Sequence, residues 1–150
     1  MALVTRCGYS FHDLSRVELD GGVPKTPRFN MPFELGLAVA ISRGLRHQWF
    51  VFESVQHRIK KSLSDLDGTD PHIHEGKPSG VLRALSNALS RETSRPTLDE
   101  LGTIYSDLRK SAKEVKDAMG SGSIFEAIAF RELVIVARRL AKIRLGGLRT

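Results

Sequence analysis

The chain has 150 residues, 41% of them hydrophobic, and a formal net charge of +6. This length and composition suit one domain with a hydrophobic core, and the single cysteine, Cys7, excludes an internal disulfide framework and a cysteine-based zinc site. No apolar run approaches the roughly 18 residues that a membrane helix needs. We therefore expect a soluble, cytoplasmic protein with no membrane partner.

Positive charge is concentrated in the last third of the chain. Residues 101–150 hold 10 Lys and Arg against 5 Asp and Glu, whereas residues 1–100 hold 13 against 12. A basic patch can bind nucleic acid, but solvated helix faces carry similar charge. Because this region contains no zinc finger, RNP-type aromatic motif or helix-turn-helix signature, nucleic-acid binding is a minor alternative.

The first half of the chain alternates between strand and helix patterns. Residues 2–11 are poor in charge and rich in strand formers, which predicts a strand followed by a polar loop. Residues 32–42 are apolar on both sides at helical spacing and predict a buried helix, with Pro32 in its first turn and Gly44 at its end. The continuous apolar run within residues 48–55 predicts a parallel strand covered on both faces. Strand, helix and strand in this order predict a right-handed crossover.

A long polar segment and then helices follow. Residues 56–77 lack a periodic pattern, so we expect a functional or mobile loop there. A helix is expected over residues 81–89 and another from Thr97, where Thr-Leu-Asp-Glu is a capping-box pattern. The last helix is expected from about Ser123, with its basic residues near its C-terminal end.

These patterns predict one domain in two parts. A polar connector over residues 90–96 separates a sheet-bearing part, residues 1–92, from a helical tail, residues 97–145. We found no internal repeat and no low-complexity tract.

Glu34 is the residue that most suggests chemistry, because it places a carboxylate in the predicted first turn of an almost wholly apolar helix. Two interpretations stay open. The carboxylate can simply complement the positive end of the helix. It can also be placed for a substrate, since ligands of open α/β sheets bind outside the carboxyl ends of the strands, where the next helix begins. In either case we expect a buried Glu34.

The stretch PRFNMPFELGL, residues 27–37, resembles the N-x-x-F-E-L-G helix start of bacterial TIR-like domains, and more loosely the glutamate-bearing helix of nucleoside 2-deoxyribosyltransferases. Together with HDLSRVELD (12–20) and SDLDGTD (64–70), it resembles an uncharacterised bacterial family of that superfamily over most of residues 1–90. The resemblance implies a Rossmann-like (flavodoxin-like) parallel sheet. Relatives of this kind usually begin with a further strand and helix, so a sheet that is short on its N-terminal side is expected.

In this superfamily the helix-start glutamate acts at the ribose of NAD or of a nucleoside, and the N-glycosidic bond is the target. The resemblance therefore implies a nucleotide or nucleoside ligand, with NAD as a substrate rather than a cofactor, and Glu34 as the central catalytic residue of a glycohydrolase or deoxyribosyltransferase. A carboxylate can stabilise oxocarbenium character or attack the anomeric carbon. The residues expected to contact the substrate are Asp13, Asn30, Met31, Phe33, Asp65 and Asp70.

The main alternative is a non-catalytic interaction module or an inactive, truncated family member. Without its first strand and helix, the sheet would leave an edge exposed, through which a second copy or another chain can pair. A metal site built from His72 and His74 with nearby aspartates is a weaker hypothesis, because the i, i+2 histidine spacing in a loop is unspecific. We predict no metal and no bound cofactor.

Overall fold

The computed structural model consists of two compact units, Met1–Ala88 and Leu89–Thr150. The division falls beside the connector expected over residues 90–96. The prediction of a single domain that contains both parts stays a prediction. The structure describes residues 6–16, 21–25, 29–42, 44, 47–63, 69–89 and 95–146.

A parallel sheet lies at the centre of the first unit, and its described strands follow the order β1-β2-β3. Their bounds are Tyr9–Asp13 for β1, Gln48–Glu53 for β2 and His72–Ile73 for β3. Phe11 lies opposite Phe50, and Phe52 lies opposite His72. The prediction of an α/β protein with a parallel sheet is therefore confirmed, and the carboxyl ends of its strands share one edge.

The first strand lies later in the chain than the sequence predicts. Residues 2–11 were expected to form it, but β1 covers Tyr9–Asp13, and Cys7 is exposed ahead of it rather than part of a strand. Pairing with β2 decides this boundary, because Tyr9 lies opposite Gln48, the first residue of β2.

The first unit also contains three described helices, α1 over Asn30–Ser42, α2 over Arg58–Ser62 and α3 over Pro78–Ala88. α1 begins two residues earlier than predicted, since the carbonyl of Phe29 accepts a hydrogen bond from the N–H of Phe33 at 2.9 Å. Pro32 still lies within the first turn, where a missing N–H leaves no bond unmade. Glu34 therefore follows the first turn instead of lying within it.

The expectation of a continuous loop over residues 56–77 is wrong, because α2 and β3 lie within it. Ile59 of α2 is buried in the core, and the N–H of His74 donates to the carbonyl of Glu53 at 3.0 Å. These long-range contacts override the polar composition of the segment.

One face of the sheet packs against α1 and α2 to form the core. Its buried members are Leu14, Leu35, Val51 and Ile59, and its partly buried neighbours are Met31, Val39, Trp49 and Leu63. Each fully buried aliphatic side chain contributes about 1.5–3 kcal/mol to stability. Because side chains alternate along a strand, Ser10 and His12 point to the same face of β1 as Leu14.

The opposite face of the sheet carries a row of aromatic rings from all three strands. Phe11 stacks on Phe50 with ring centroids 5.3 Å apart, and Phe52 meets both Phe11 and His72 at 5.6 Å. Burial lowers the pKa of His72, so its ring favours the neutral form within this row.

The second unit contains two described helices, α4 over Leu98–Ala118 and α5 over Ala127–Arg144, which pack against each other. The predicted capping box is confirmed: Thr97 Oγ1 accepts from the N–H of Glu100, whose carboxylate accepts from the N–H of Thr97. α5 begins four residues later than expected, after a connection through Gly120. No helix in the described part of the chain is long and apolar enough to cross a membrane.

Candidate functional site

Three polar groups gather where the parallel strands end. Asp13 is the last residue of β1, Glu53 is the last residue of β2, and His74 directly follows β3. Ligands of open α/β sheets bind at this carboxyl edge, because the loops that follow the strands leave a crevice there.

Asp13, Ser15 and His74 form one hydrogen-bonded cluster at this edge. Asp13 Oδ1 accepts from the Ser15 N–H at 3.0 Å and from the Ser15 hydroxyl at 2.5 Å. His74 Nε2 lies 2.9 Å from Ser15 Oγ and 3.3 Å from Asp13 Oδ1. The N–H of Gly76 donates to His74 Nδ1 at 3.1 Å, so the ring carries its proton on Nε2 and donates to the cluster.

The cluster favours the ionised form of Asp13. Partial burial alone would raise the pKa of this carboxyl, but hydrogen bonds from the side chain and backbone of Ser15, and from His74, outweigh it and lower the pKa. Its side chain is 55% exposed, so the second carboxylate oxygen can accept a ligand hydroxyl.

This arrangement differs from a serine nucleophile with a histidine base. The Ser15 hydroxyl donates its proton to Asp13, and His74 Nε2 is itself a donor, so the ring cannot take the proton of the serine. The cluster instead presents an oriented carboxylate to the ligand crevice.

A buried ion pair ties the loops of this edge together. Glu53 is 1% exposed, and Arg58 donates to both of its carboxylate oxygens, from Nε at 3.0 Å and from Nη2 at 2.5 Å. The same guanidinium donates to the carbonyl of Ser15 at 2.7 Å. Sequence reasoning missed this pair. A glutamate directly after the apolar run of residues 49–52 was its signal, because a carboxylate that is buried at the end of a strand needs a partner.

Glu34 is exposed on α1, which corrects the expectation of a buried carboxylate. The buried side of α1 is formed by Leu35 and Ala38, and Glu34 points away from it. Phe33 beside it is 68% exposed, and Asn30 is also exposed at the start of the helix. The exposed surface of this helix start thus combines a carboxylate, an amide and an aromatic ring.

A chain of partly buried hydrogen bonds runs along the face of β1 covered by α1. Ser10 Oγ lies 2.8 Å from His12 Nε2 and 2.9 Å from His47 Nε2, and His47 Nδ1 lies 2.8 Å from the carbonyl oxygen of Cys7. Burial lowers the pKa of His12; the charge of Glu34 opposes this shift, and that of His47 adds to it. The sequence alone did not identify either histidine as part of a site, because the two residues are far apart in the chain and form no recognisable motif.

The remaining predicted site residues lie in different surroundings. Met31 packs against the core, and Asp70 is exposed two residues before β3, whereas His74 follows that strand. Asp65 lies outside the described residues. Within the ranges that the structure describes, no three His, Cys, Asp or Glu side chains group as metal ligands.

An open groove of about 330 Å³ lies on the second unit, and its lining residues among those that the structure describes belong to α4. It carries two cations, Arg109 and Lys110, and the guanidinium of Arg109 lies 6.0 Å from the ring centroid of Tyr105. The nucleic-acid alternative depends on this kind of basic helix surface and stays a prediction.

No family model, curated protein or solved structure matches the chain. Fold and site therefore define its class directly, as an α/β protein with a small parallel sheet and a polar cluster at the carboxyl edge. Membership of the TIR-like superfamily stays a prediction.

Proposed function

We propose that the first unit is a Rossmann-like (flavodoxin-like) nucleotide-binding domain that cleaves the N-glycosidic bond of NAD or a nucleoside. The observation that carries the proposal is the exposed carboxylate of Glu34 beside the exposed ring of Phe33. α1 follows β1 in the chain and packs against it, so its first residues and Asp13 lie toward the edge where such folds bind ligands.

The proposed reaction needs a carboxylate at the ribose. As the C1′–N bond breaks, its electron pair leaves with the base, and C1′ gains oxocarbenium character. Glu34 stabilises this positive charge or attacks C1′ to give a glycosyl-enzyme intermediate. Water then supplies the oxygen that replaces the base at C1′, and its proton passes to a base of the site.

Recognition would use the neighbouring groups. Asp13 is ionised and partly exposed, which suits acceptance of a ribose hydroxyl. Phe33 offers a ring face to a nucleobase or nicotinamide, and the Asn30 amide offers both a donor and an acceptor. Asp65 and Asp70 are further proposed contacts, from the resemblance of their segment.

The test is turnover of NAD and of purine and pyrimidine nucleosides by the purified protein, followed by chromatography. Glu34→Gln should abolish release of the base, whereas Glu114→Gln, a matched change of an exposed glutamate on α4, should leave it intact. Circular dichroism must show all three proteins equally folded. A folded wild type without turnover would remove the catalytic claim.

A second candidate function is self-association through the edge of β1 that faces away from β2. The N–H of Leu14 donates to the Phe52 carbonyl, and the carbonyl of Gly8 accepts from Gln48, both at 2.9 Å, so the even-numbered residues of β1 bond to β2. The backbone of Phe11 therefore faces the other side, where no described residue bonds it. Such an edge can pair with a second copy.

Light scattering after size-exclusion chromatography tests this candidate. Phe11→Lys should convert a dimer into a monomer, because a lysine on an edge strand opposes pairing. Phe130→Lys, on another exposed phenylalanine, in α5, is the control and should leave the dimer intact. A wild type that is monomeric at high concentration would exclude pairing through this edge.

A further inference from the structure

His12 is a buried histidine, and only one of its two ring nitrogens, Nε2, has a hydrogen-bond partner among the described residues. It is 4% exposed, and it shares the face of β1 on which Leu14 packs against Leu35 of α1. Buried imidazole nitrogens in proteins normally have a hydrogen-bond partner. Nδ1 of His12 has none within the described part of the chain.

The hydrogen bonds behind the ring fix where its proton lies. A backbone carbonyl can only accept, so His47 Nδ1 carries the proton that it donates to Cys7 O. In a neutral His47 the other nitrogen, Nε2, accepts the proton of the Ser10 hydroxyl. The Ser10 oxygen then accepts from His12 Nε2–H. His12 is thereby left with a bare lone pair on Nδ1.

The charge of Glu34 acts on this ring. Leu35, its neighbour on α1, packs in the same cluster as Leu14, two residues after His12 on the same face of β1. The negative charge of Glu34 raises the pKa of His12 against the larger effect of burial. The unpartnered Nδ1 on β1 and the exposed carboxylate on α1 thus belong to two elements that pack against each other.

We propose that His12 Nδ1 binds the water that replaces the base at C1′, so that His12 is the general base beside Glu34. This proposal rests on the proposed function and names a further residue for it. As the water oxygen bonds to C1′ and the C1′–N bond breaks, one water proton passes to Nδ1. Ser10 and His47 orient the ring, and the Glu34 carboxylate stabilises the imidazolium that forms.

The first test is spectroscopic and does not depend on turnover. In protein with ¹⁵N-labelled histidine, long-range proton–nitrogen correlations should show His12 protonated on Nε2 and bare on Nδ1. ADP-ribose, which has the ribose but no base to lose, should shift the Nδ1 resonance when it binds. A proton on Nδ1 in the free protein, or an Nδ1 that bound ADP-ribose leaves unchanged, would overturn the proposal.

Two matched variants test the roles of the two ring nitrogens of His12 separately. The amide nitrogen of His12→Gln can replace Nε2–H on Ser10, but the variant lacks an acceptor at the position of Nδ1. His12→Asn keeps an acceptor near Nδ1 and loses the donor to Ser10. We expect His12→Gln to fold normally and to lose at least ~100-fold in kcat with little change in KM. A purely structural His12 would give the reverse, with His12→Gln active and His12→Asn unstable.

The pH profile gives a further readout. A base must be neutral to act, so wild-type kcat should fall as the pH drops through the pKa of His12, and His12→Gln should lack this limb. The charged and titratable groups facing the ring are Glu34 on α1 and His47 ahead of β2. If the protein cleaved NAD while bound ADP-ribose left the Nδ1 resonance of His12 unchanged, this inference alone would be overturned. A protein that neither binds ADP-ribose nor cleaves NAD would overturn the proposed function as well.

Discussion

Arg58 donates two hydrogen bonds to the carboxylate of Glu53, from Nε at 3.0 Å and from Nη2 at 2.5 Å. Because the same guanidinium also bonds the carbonyl of Ser15 at 2.7 Å, it connects the end of β2 to the loop after β1. The Asp13–Ser15–His74 cluster is built on that loop. This pair of a buried carboxylate and a partly buried guanidinium thus holds the loops of the candidate site together.

Removing the arginine should therefore unfold the site. Arg58→Met leaves the Glu53 carboxylate buried without its cation, and we expect a loss of about 3 kcal/mol in the free energy of unfolding, measured by urea titration. Arg83→Met, at an exposed arginine of α3, is the control and should change stability little. The double variant Glu53→Leu with Arg58→Met should recover most of the loss, because neither charge is then buried alone. Equal losses in the single and double variants would contradict a paired role.

Local signals in the sequence predicted part of this architecture. The cap at Thr97 was predictable because a capping box lies within four consecutive residues. His74, by contrast, meets Asp13 across a separation of 61 residues, which no spacing encodes. β3 has only two residues, and its place is set by pairing with β2 rather than by its own composition. Glu34 was expected to be buried in the first turn of α1, but it follows that turn, and its exposure depends on which side of α1 faces the sheet.

The ionisation of Asp13 should make stability depend on pH. Its pKa in the folded protein lies below the ordinary value of 3.8. The stability it contributes is therefore present above that value and is lost as the pH falls through the lower, folded-state pKa. Because the side chain is largely exposed, solvent screening limits the effect to about 1 kcal/mol or less.

This pH dependence can be checked by urea unfolding. The free energy of unfolding is measured for the wild type and for Asp13→Asn at pH 7 and at pH 2.5. We expect the wild type to be the more stable at pH 7 and the difference to shrink at the lower pH. A difference that stays constant with pH would mean that Asp13 acts through its shape rather than its charge.

Gly80 allows α3 to approach the backbone of His74. A Cβ placed at Gly80 would overlap the carbonyl oxygen of His74 and would lie 2.7 Å from its carbonyl carbon, so the backbone must move to admit it. Gly80→Ala should destabilise the protein and displace the His74 ring from Ser15. In α1, Gly36 has open space around the same position, so Gly36→Ala should be neutral or stabilising by up to about 1 kcal/mol.

Thermal unfolding and the histidine nitrogen spectrum measure these two outcomes together. The His74 signals should change in Gly80→Ala and stay unchanged in Gly36→Ala. If Gly80→Ala were as stable as the wild type with His74 undisturbed, the close approach of α3 to His74 would be wrong.

The cap of α4 offers a test confined to the second unit. Thr97 Oγ1 accepts from the N–H of Glu100 at 3.2 Å, and its own hydroxyl donates to the Glu100 carboxylate at 2.8 Å. Thr97→Ala removes both bonds and should cost about 1 kcal/mol. Thr103→Ala, further along α4, is a matched control, because its hydroxyl donates only to the Asp99 carbonyl, which the helix can satisfy without it. Amide hydrogen exchange should therefore quicken in the first turn of α4 in Thr97→Ala alone; equal exchange in both variants would show that packing against α5, and not the cap, fixes the start of the helix.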